Sequence, residues 1–234
     1  PLSGTTWMQM ILYQLTTDGS MDFPHIAEYC PWFERSVRSA TAFETRPSPR
    51  LFKSHLPYPE IPKGPCKYIY VARNGKDVAV SQYHLDRNYV GFEGTFDEFF
   101  ERFLKGKTSF GCWFDHVEGW WKHRNDPNVL FLTYEELSRD LEACICRVAD
   151  FIGRDVPAER LPTIVERCRF DFMRQHENQF DPAMESLWES GIRPKSFLRH
   201  GRTGEGAVQL TAEQQARFDE KYDKRLRAWG IALS

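Results

Sequence analysis

The residues of this 234-residue chain whose types and spacing suit chemistry fall in four short stretches. The first is Ser3-Gly4-Thr5-Thr6-Trp7, directly ahead of Met8, Ile11, Leu12 and Leu15. That apolar recurrence predicts a helix beginning near Thr5 or Thr6 and stopping at Thr17-Asp18-Gly19. A glycine for close backbone approach, hydroxyl donors and the unsatisfied N–H groups of a helix start together make a cradle for a phosphate-like anion. An ordinary Ser/Thr N-cap is the plainer reading of the same residues. The Walker A spacing is absent, with no lysine ahead of the hydroxyl pair.

The second stretch is Lys53-Ser54-His55. Arg50 to Pro57 reads as a strand that Pro57 ends, and a repeat of two puts Lys53 and His55 on one side near its carboxyl end, where parallel α/β sheets bind ligands. A lone histidine is more often structural and a lone lysine solvated, so their shared direction is what singles them out. Third, Arg73 stands at the tip of the strand Lys67 to Ala72, and Ser81 lies about two turns into the helix that follows, facing back. A guanidinium and a hydroxyl suit one phosphate group; a surface ion pair is the alternative. Fourth, Lys195, Arg199, His200 and Arg202 form a local cationic cluster in a slightly acidic chain.

These residues need a scaffold, and the rest of the pattern supplies one. Beyond the strand at Lys67 to Ala72, Asn128 to Tyr134 reads as a second buried strand, followed by one helix through Leu137, Leu141, Ile145, Val148 and Ile152 that stops at Gly153. Thr95 to Leu104 has a capping-box start. Further helices are expected over Trp113 to Arg124, within Pro157 to Cys168, and from Thr211 through Phe218, Tyr222, Leu226 and Trp229 to Gly230. Residues 21 to 49 read as an irregular excursion with short helices, and Asn178 to Gly206 as a covering loop. Three β-then-α units predict an α/β fold: a parallel sheet flanked by helices, in a single domain over 1–234. Opening on a strand-to-helix loop carries the expectation that the sheet's first strand is missing.

A hydrophobic content of 41% and an aromatic content of 15% are enough for a substantial core. A net charge of −2 argues against a broadly basic surface for nucleic acid or membranes. No apolar run reaches a membrane span and no signal-peptide pattern opens the chain, so a cytoplasmic protein is expected. Six scattered cysteines suit reduced thiols, Cys144-x-Cys146 lies in a helical pattern, and the histidines show no metal spacing, so no metal is expected.

Taken together and in order, Pro1-Leu2-Ser3-Gly4-Thr5-Thr6-Trp7, Lys53-Ser54-His55-Leu56-Pro57, Tyr70 to Asp77 with Ser81, Phe131 to Leu137, and Phe197-Leu198-Arg199-His200-Gly201 resemble the cytosolic sulfotransferases. The resemblance implies a P-loop-like fold. It also implies transfer of a sulfuryl group from 3′-phosphoadenosine 5′-phosphosulfate (PAPS) to an acceptor hydroxyl or amine, leaving 3′-phosphoadenosine 5′-phosphate (PAP). It further implies that Ser3, Gly4, Thr5 and Thr6 hold the 5′-phosphosulfate, and that Arg73, Ser81, Arg199, His200 and Gly201 hold the 3′-phosphate. Trp7, Tyr134 and Phe170 would contact the adenine, with Cys168 where the family often has a threonine. His55 would be the base, a role neutral imidazole fills near pH 7, and Lys53 would absorb charge on the leaving oxygen.

The chain departs from the family in three places. Leu2 stands where the family has a lysine, and His200 where it usually has one. The relatives' short dimerisation motif aligns with Ala207, Thr211, Ala212 and Ala216, leaving monomer and dimer both open. The alternatives are a nucleotide-binding member of the fold that turns over poorly, and a small-molecule P-loop kinase. Phe23, Tyr58, Tyr83 and Phe110 favour a small aromatic or apolar acceptor.

Overall fold

A computed structural model describes residues 1–36, 48–184 and 197–233. In chain order the helices are α1 (Thr5–Thr16), α2 (Phe33–Ser36), α3 (Gly75–Leu85), α4 (Phe96–Leu104), α5 (Trp113–Trp121), α6 (Tyr134–Arg139), α7 (Leu141–Ile152), α8 (Leu161–Arg167), α9 (Phe170–Gln175), α10 (Glu205–Gln209) and α11 (Ala212–Arg225). The strands are β1 (Tyr68–Ala72) and β2 (Val129–Thr133). They run parallel, in register from Tyr68 opposite Val129 to Ala72 opposite Thr133.

Among the described residues this pair is the whole sheet, which corrects the expected three-strand arrangement. Arg50 to Pro57 makes one parallel bridge, Lys53 to Trp32, instead of a strand. The reason is local: Trp32 is followed at once by α2, so the ladder has no backbone partner beyond that point.

The described residues fall into two compact units. The first takes its residues from Pro1–Ser3, Leu56–Arg139 and Arg202–Ser234. Its core is built on Val78, Ala79 and Val80 of α3, Phe99, Phe100 and Phe103 of α4, Phe114 of α5, and Phe218 and Tyr222 of α11. The expected capping box is formed: Thr95 accepts from the Glu98 N–H, and the Glu98 carboxylate accepts from the Thr95 N–H at 2.8 Å. Such a cap contributes about 1 kcal/mol. Helix α5 ends at Trp121, three residues short of the expected Arg124, with Trp113 and Trp120 buried. The C-terminal helix ends at Arg225 and is followed by a 3₁₀ turn, Arg227–Trp229, and then by Gly230 at φ 69°.

Helix α10 lies close against α3. A Cβ on Gly206 would stand 2.5 Å from the Cβ of Lys76, so only glycine fits. The buried Asp77 carboxylate accepts from the Gly206 N–H at 2.7 Å and the Gly204 N–H at 2.9 Å, satisfying donors at the start of α10.

Helix α3 runs into a π-helical turn, Asp86–Val90. Asp86 is buried there, and its Oδ1 has no hydrogen-bond partner among the described residues. Burial pushes its carboxyl up to about 6, against smaller opposing effects of Arg102 and Ser109. The folded chain therefore retains a proton that the unfolded chain, near 3.8, gives up. The group's stabilising contribution is present at low pH and is lost as pH rises through about 6. Asp86→Asn is expected to flatten that slope, read as thermal midpoints across pH 4 to about 7; a slope identical to that of the parent would refute the assignment.

The second unit takes its residues from Gly4–His55 and Asp140–Gly201. Helix α1 packs on α7 and α8. Its end falls where expected, with Arg160 donating to the carbonyls of Thr17 at 3.2 Å and Gln14 at 3.4 Å. These bonds satisfy last-turn acceptors that the helix itself leaves open. The single helix expected up to Gly153 is in fact two, α6 and α7. Asp140, at φ −146° and ψ 82°, breaks the run, and its carboxylate caps α7 by accepting from the Ala143 N–H at 3.0 Å. Cys144 is buried on α7, and none of the six cysteines, all of them described residues, forms a disulfide. Of the expected covering loop at 178–206, residues 185–196, including Lys195, lie outside the described residues.

Candidate active site

Helix α1 starts where the sequence predicts. Gly4 is the N-cap of α1 at φ 95°, a left-handed conformation suited to glycine, and having no side chain it makes no side-chain cap. Ser3 is buried and turns its hydroxyl to the Pro1 carbonyl at 3.1 Å. Thr5, Thr6 and Trp7 open the helix, and the first-turn N–H groups of an α-helix have no intrahelical acceptor. An N-capping Ser or Thr, the plainer reading, is not what the chain builds.

Three of the four residues expected at the adenine, Trp7, Cys168 and Phe170, belong to the second unit. The Trp7 indole Nε1 donates to the Cys168 carbonyl at 2.6 Å, and Phe170 follows two residues later at the start of α9. Cys168 is fully buried, and burial pushes its thiol far up, so it stays protonated. Gly201, at φ 61°, presses against Phe170; a Cβ there would lie 2.2 Å from the ring. The segment before it is held by Arg174, which donates to the Arg199 carbonyl at 3.0 Å, and by Glu177, which accepts from the Leu198 N–H at 2.6 Å. His200 is exposed and Arg199 half-buried.

Lys53 and His55 meet on one tryptophan. The Lys53 ammonium lies 5.1 Å from the centre of the Trp32 ring, and the His55 ring stands edge-on to it at 5.2 Å. Their shared direction thus holds although the strand that predicted it does not form. Arg35 also lies over Trp32, at 4.6 Å, and Glu34 accepts from the His55 backbone N–H at 2.7 Å. Neither Trp32 nor Glu34 was singled out from sequence, because a pairing across 21 positions leaves no local signature.

In the first unit Arg73 is buried at the end of β1. Its Nη2 donates to the Arg202 carbonyl at 2.8 Å and its Nη1 to the Leu2 carbonyl at 3.3 Å. Asp77 stands 3.7 Å away, and the Tyr134 ring lies 4.3 Å beneath the guanidinium. Burial raises the Tyr134 phenol, the Arg73 charge opposing it. The Arg73 Nε is buried with no hydrogen-bond partner among the described residues, so the fork keeps a donor for an added acceptor. Ser81 is half-buried on α3. Asp77 was missed at the sequence level, although its position four residues after Arg73 was a usable signal.

The four residues expected at the acceptor have these surroundings. Phe23 is buried edge-on to Tyr13, Tyr29 and Phe180. Tyr58 stacks on His123 at 3.4 Å with the Lys63 ammonium over its ring. Tyr83 is buried against Phe92, Phe96 and Phe99. Phe110 is half-buried in the turn before α5. A cavity of about 560 Å³ in the first unit, lined by Trp121, Phe131, Glu135 and Arg139 among others, contains none of them. No cluster of three His, Cys, Asp or Glu side chains that could hold a metal occurs among the described residues, and no described helix is long and apolar enough to cross a membrane.

The sulfotransferase domain family model matches residues 1–230. The chain is 35% identical over 241 residues to the rabbit (Oryctolagus cuniculus) amine sulfotransferase, covering 97% of this chain and 78% of the relative. It is 34% identical over 245 residues to Homo sapiens sulfotransferase 1C2, covering 99% and 82%. Mouse sulfotransferase SULT7A1 complexed with PAP is similar in structure, with a TM-score of 0.77 and 29% identity, covering 97% of this chain and 81% of that one. Retinol dehydratase in complex with androsterone and inactive cofactor PAP shares the fold, with a TM-score of 0.80 and 22% identity, covering 96% and 78%. This chain belongs to the sulfotransferase family.

Proposed function

We propose that the chain transfers a sulfuryl group from PAPS to the hydroxyl or amine of a small, aromatic or otherwise apolar acceptor. The observation that carries the reading is the start of α1, where Gly4 at φ 95° opens the helix without a side-chain cap of its own and the first-turn amides face the positive end of the helix dipole. Gly4, Thr5 and Thr6, with Ser3, are assigned to the phosphosulfate. Trp7, Tyr134, Cys168 and Phe170 are assigned to the adenine, and Arg73, Ser81, Arg199, His200 and Gly201 to the 3′-phosphate. The buried Arg73 Nε without a partner among the described residues supports its share in this assignment.

PAPS supplies an activated sulfuryl group on a phosphate leaving group. The chain's task is to remove a proton from the acceptor and to neutralise charge on the departing oxygen. His55 takes the proton, which typically contributes about 10²- to 10⁴-fold. Lys53 and the α1 amides hold the leaving oxygen, doing the work a metal does in phosphoryl transfer. Phe23, Tyr58, Tyr83 and Phe110 remain our candidates for the acceptor, with Phe23 and Tyr83 each buried among aromatic rings of its own unit. Six cysteines outside any disulfide support the cytoplasm as the place of action. The family's dimer motif is degenerate here, and a single catalytic domain over 1–234, acting as monomer or dimer, is our reading.

Turnover with a labelled sulfonate donor and a panel of phenols, alcohols and amines tests the reaction, and calorimetry with PAP against ATP–Mg²⁺ tests the nucleotide. We expect label on a phenol or aryl amine and tighter binding of PAP. Tighter binding of ATP–Mg²⁺ would favour a kinase and overturn the reading.

A further inference from the structure

The segment carrying Lys53 and His55 has an unusual backbone partner. Lys53 N–H donates to the Pro31 carbonyl at 2.9 Å, and Phe33 N–H donates to the Lys53 carbonyl at 2.7 Å. In a parallel ladder the next bond would run from the His55 N–H to the Phe33 carbonyl. Phe33 is already the first residue of α2, so its carbonyl is turned along the helix. The Glu34 side chain replaces it: Oε1 accepts from the His55 N–H at 2.7 Å, a charge-assisted bond that extends the ladder by one rung.

The other carboxylate oxygen, Oε2, is buried with no hydrogen-bond partner among the described residues. Burying a carboxylate oxygen without a donor is costly, and a plain backbone acceptor would avoid it. The arrangement therefore trades stability for a rung at one particular position, the residue that bears the imidazole. The same short stretch, Trp32 to Glu34, also sets the ring, since Trp32 stands edge-on to His55.

We propose that Glu34 is a positioning residue for His55: its carboxylate replaces the missing strand neighbour and fixes the backbone from which the imidazole reaches the acceptor. The proposal rests on the reading of His55 as the proton acceptor. A base that drifts by about 1 Å loses on the order of a hundredfold in rate, whereas binding of distant groups is untouched.

Three variants test it. Glu34→Ala is expected to lower kcat by about ten- to a hundredfold with KM for donor and acceptor within about twofold, and to speed hydrogen exchange of the His55 amide by about tenfold or more. Glu34→Gln keeps an oxygen acceptor at the same reach and is expected to restore most of kcat and of the amide protection. His55→Ala fixes the floor. Glu34→Ala with kcat and amide exchange both unchanged, or Glu34→Gln as impaired as Glu34→Ala, overturns the proposal. Should His55→Ala itself keep full turnover, the reading of His55 as base fails, and with it a catalytic purpose for the rung. Failure of Glu34→Ala to fold would show as a collapsed thermal midpoint, in which case the Gln variant, isosteric with the parent, decides.

Discussion

His55→Ala is expected to lower kcat for sulfuryl transfer by about a thousandfold while leaving PAP affinity within about threefold. The split follows from where the residue sits. His55 is tied through its backbone to Glu34 and through its ring to Trp32, whereas the residues assigned to the adenine and held within the same unit, Trp7, Cys168 and Phe170, form their own cluster around α1 and α9. Removing the imidazole takes away the proton acceptor and none of those contacts. Stopped assays over a range of acceptor concentrations, paired with calorimetry using PAP, measure both quantities. A variant that loses nucleotide affinity in step with turnover would mean that the ring is a structural element and not the base.

Leu2→Lys has the second large expected effect, and its sign is opposite. The family resemblance puts a cation at this position, and one preorganised donor at a developing charge is typically worth about a hundred- to a thousandfold in rate. Leu2 is half-buried and packs against the apolar core of the first unit, at φ 57°, while its carbonyl accepts from Arg73. A lysine stem can lie along the same apolar surface with its ammonium extended beyond it, so the change is compatible with the packing. A rise of about a hundredfold in kcat is expected, with little change in thermal midpoint. If turnover stays level, Lys53 and the α1 amides already neutralise the leaving oxygen and the position is free to vary.

Much of the scaffold was legible in the sequence because its signals are local. The apolar recurrence through Met8, Ile11 and Leu15 gave α1, the Thr95 and Glu98 pair gave the start of α4, and unbroken apolar runs gave β1 and β2. What depends on distant partners was not legible. Arg50 to Pro57 has the composition of a strand, yet a strand requires a neighbour, and its neighbour turns into α2 after one residue. Asp140 was overlooked inside an apolar periodicity that continues across it, although an Asp three residues before Ala143 is an ordinary capping signal. The glycine-opened helix start and the Lys53–His55 pair were singled out by residue type. Glu34, Trp32 and the carbonyls that Arg73 holds were beyond reach, since nothing in their neighbourhoods announces a contact tens of positions away.

Trp32 gives the two assigned groups a common dependence. Its single indole faces the Lys53 ammonium on one hand and the His55 imidazole on the other. Free energies of replacing neighbours that share a partner do not sum. The double variant at 53 and 55 is therefore epistatic by construction, and a lineage that changes the indole must renegotiate cation and imidazole in one step.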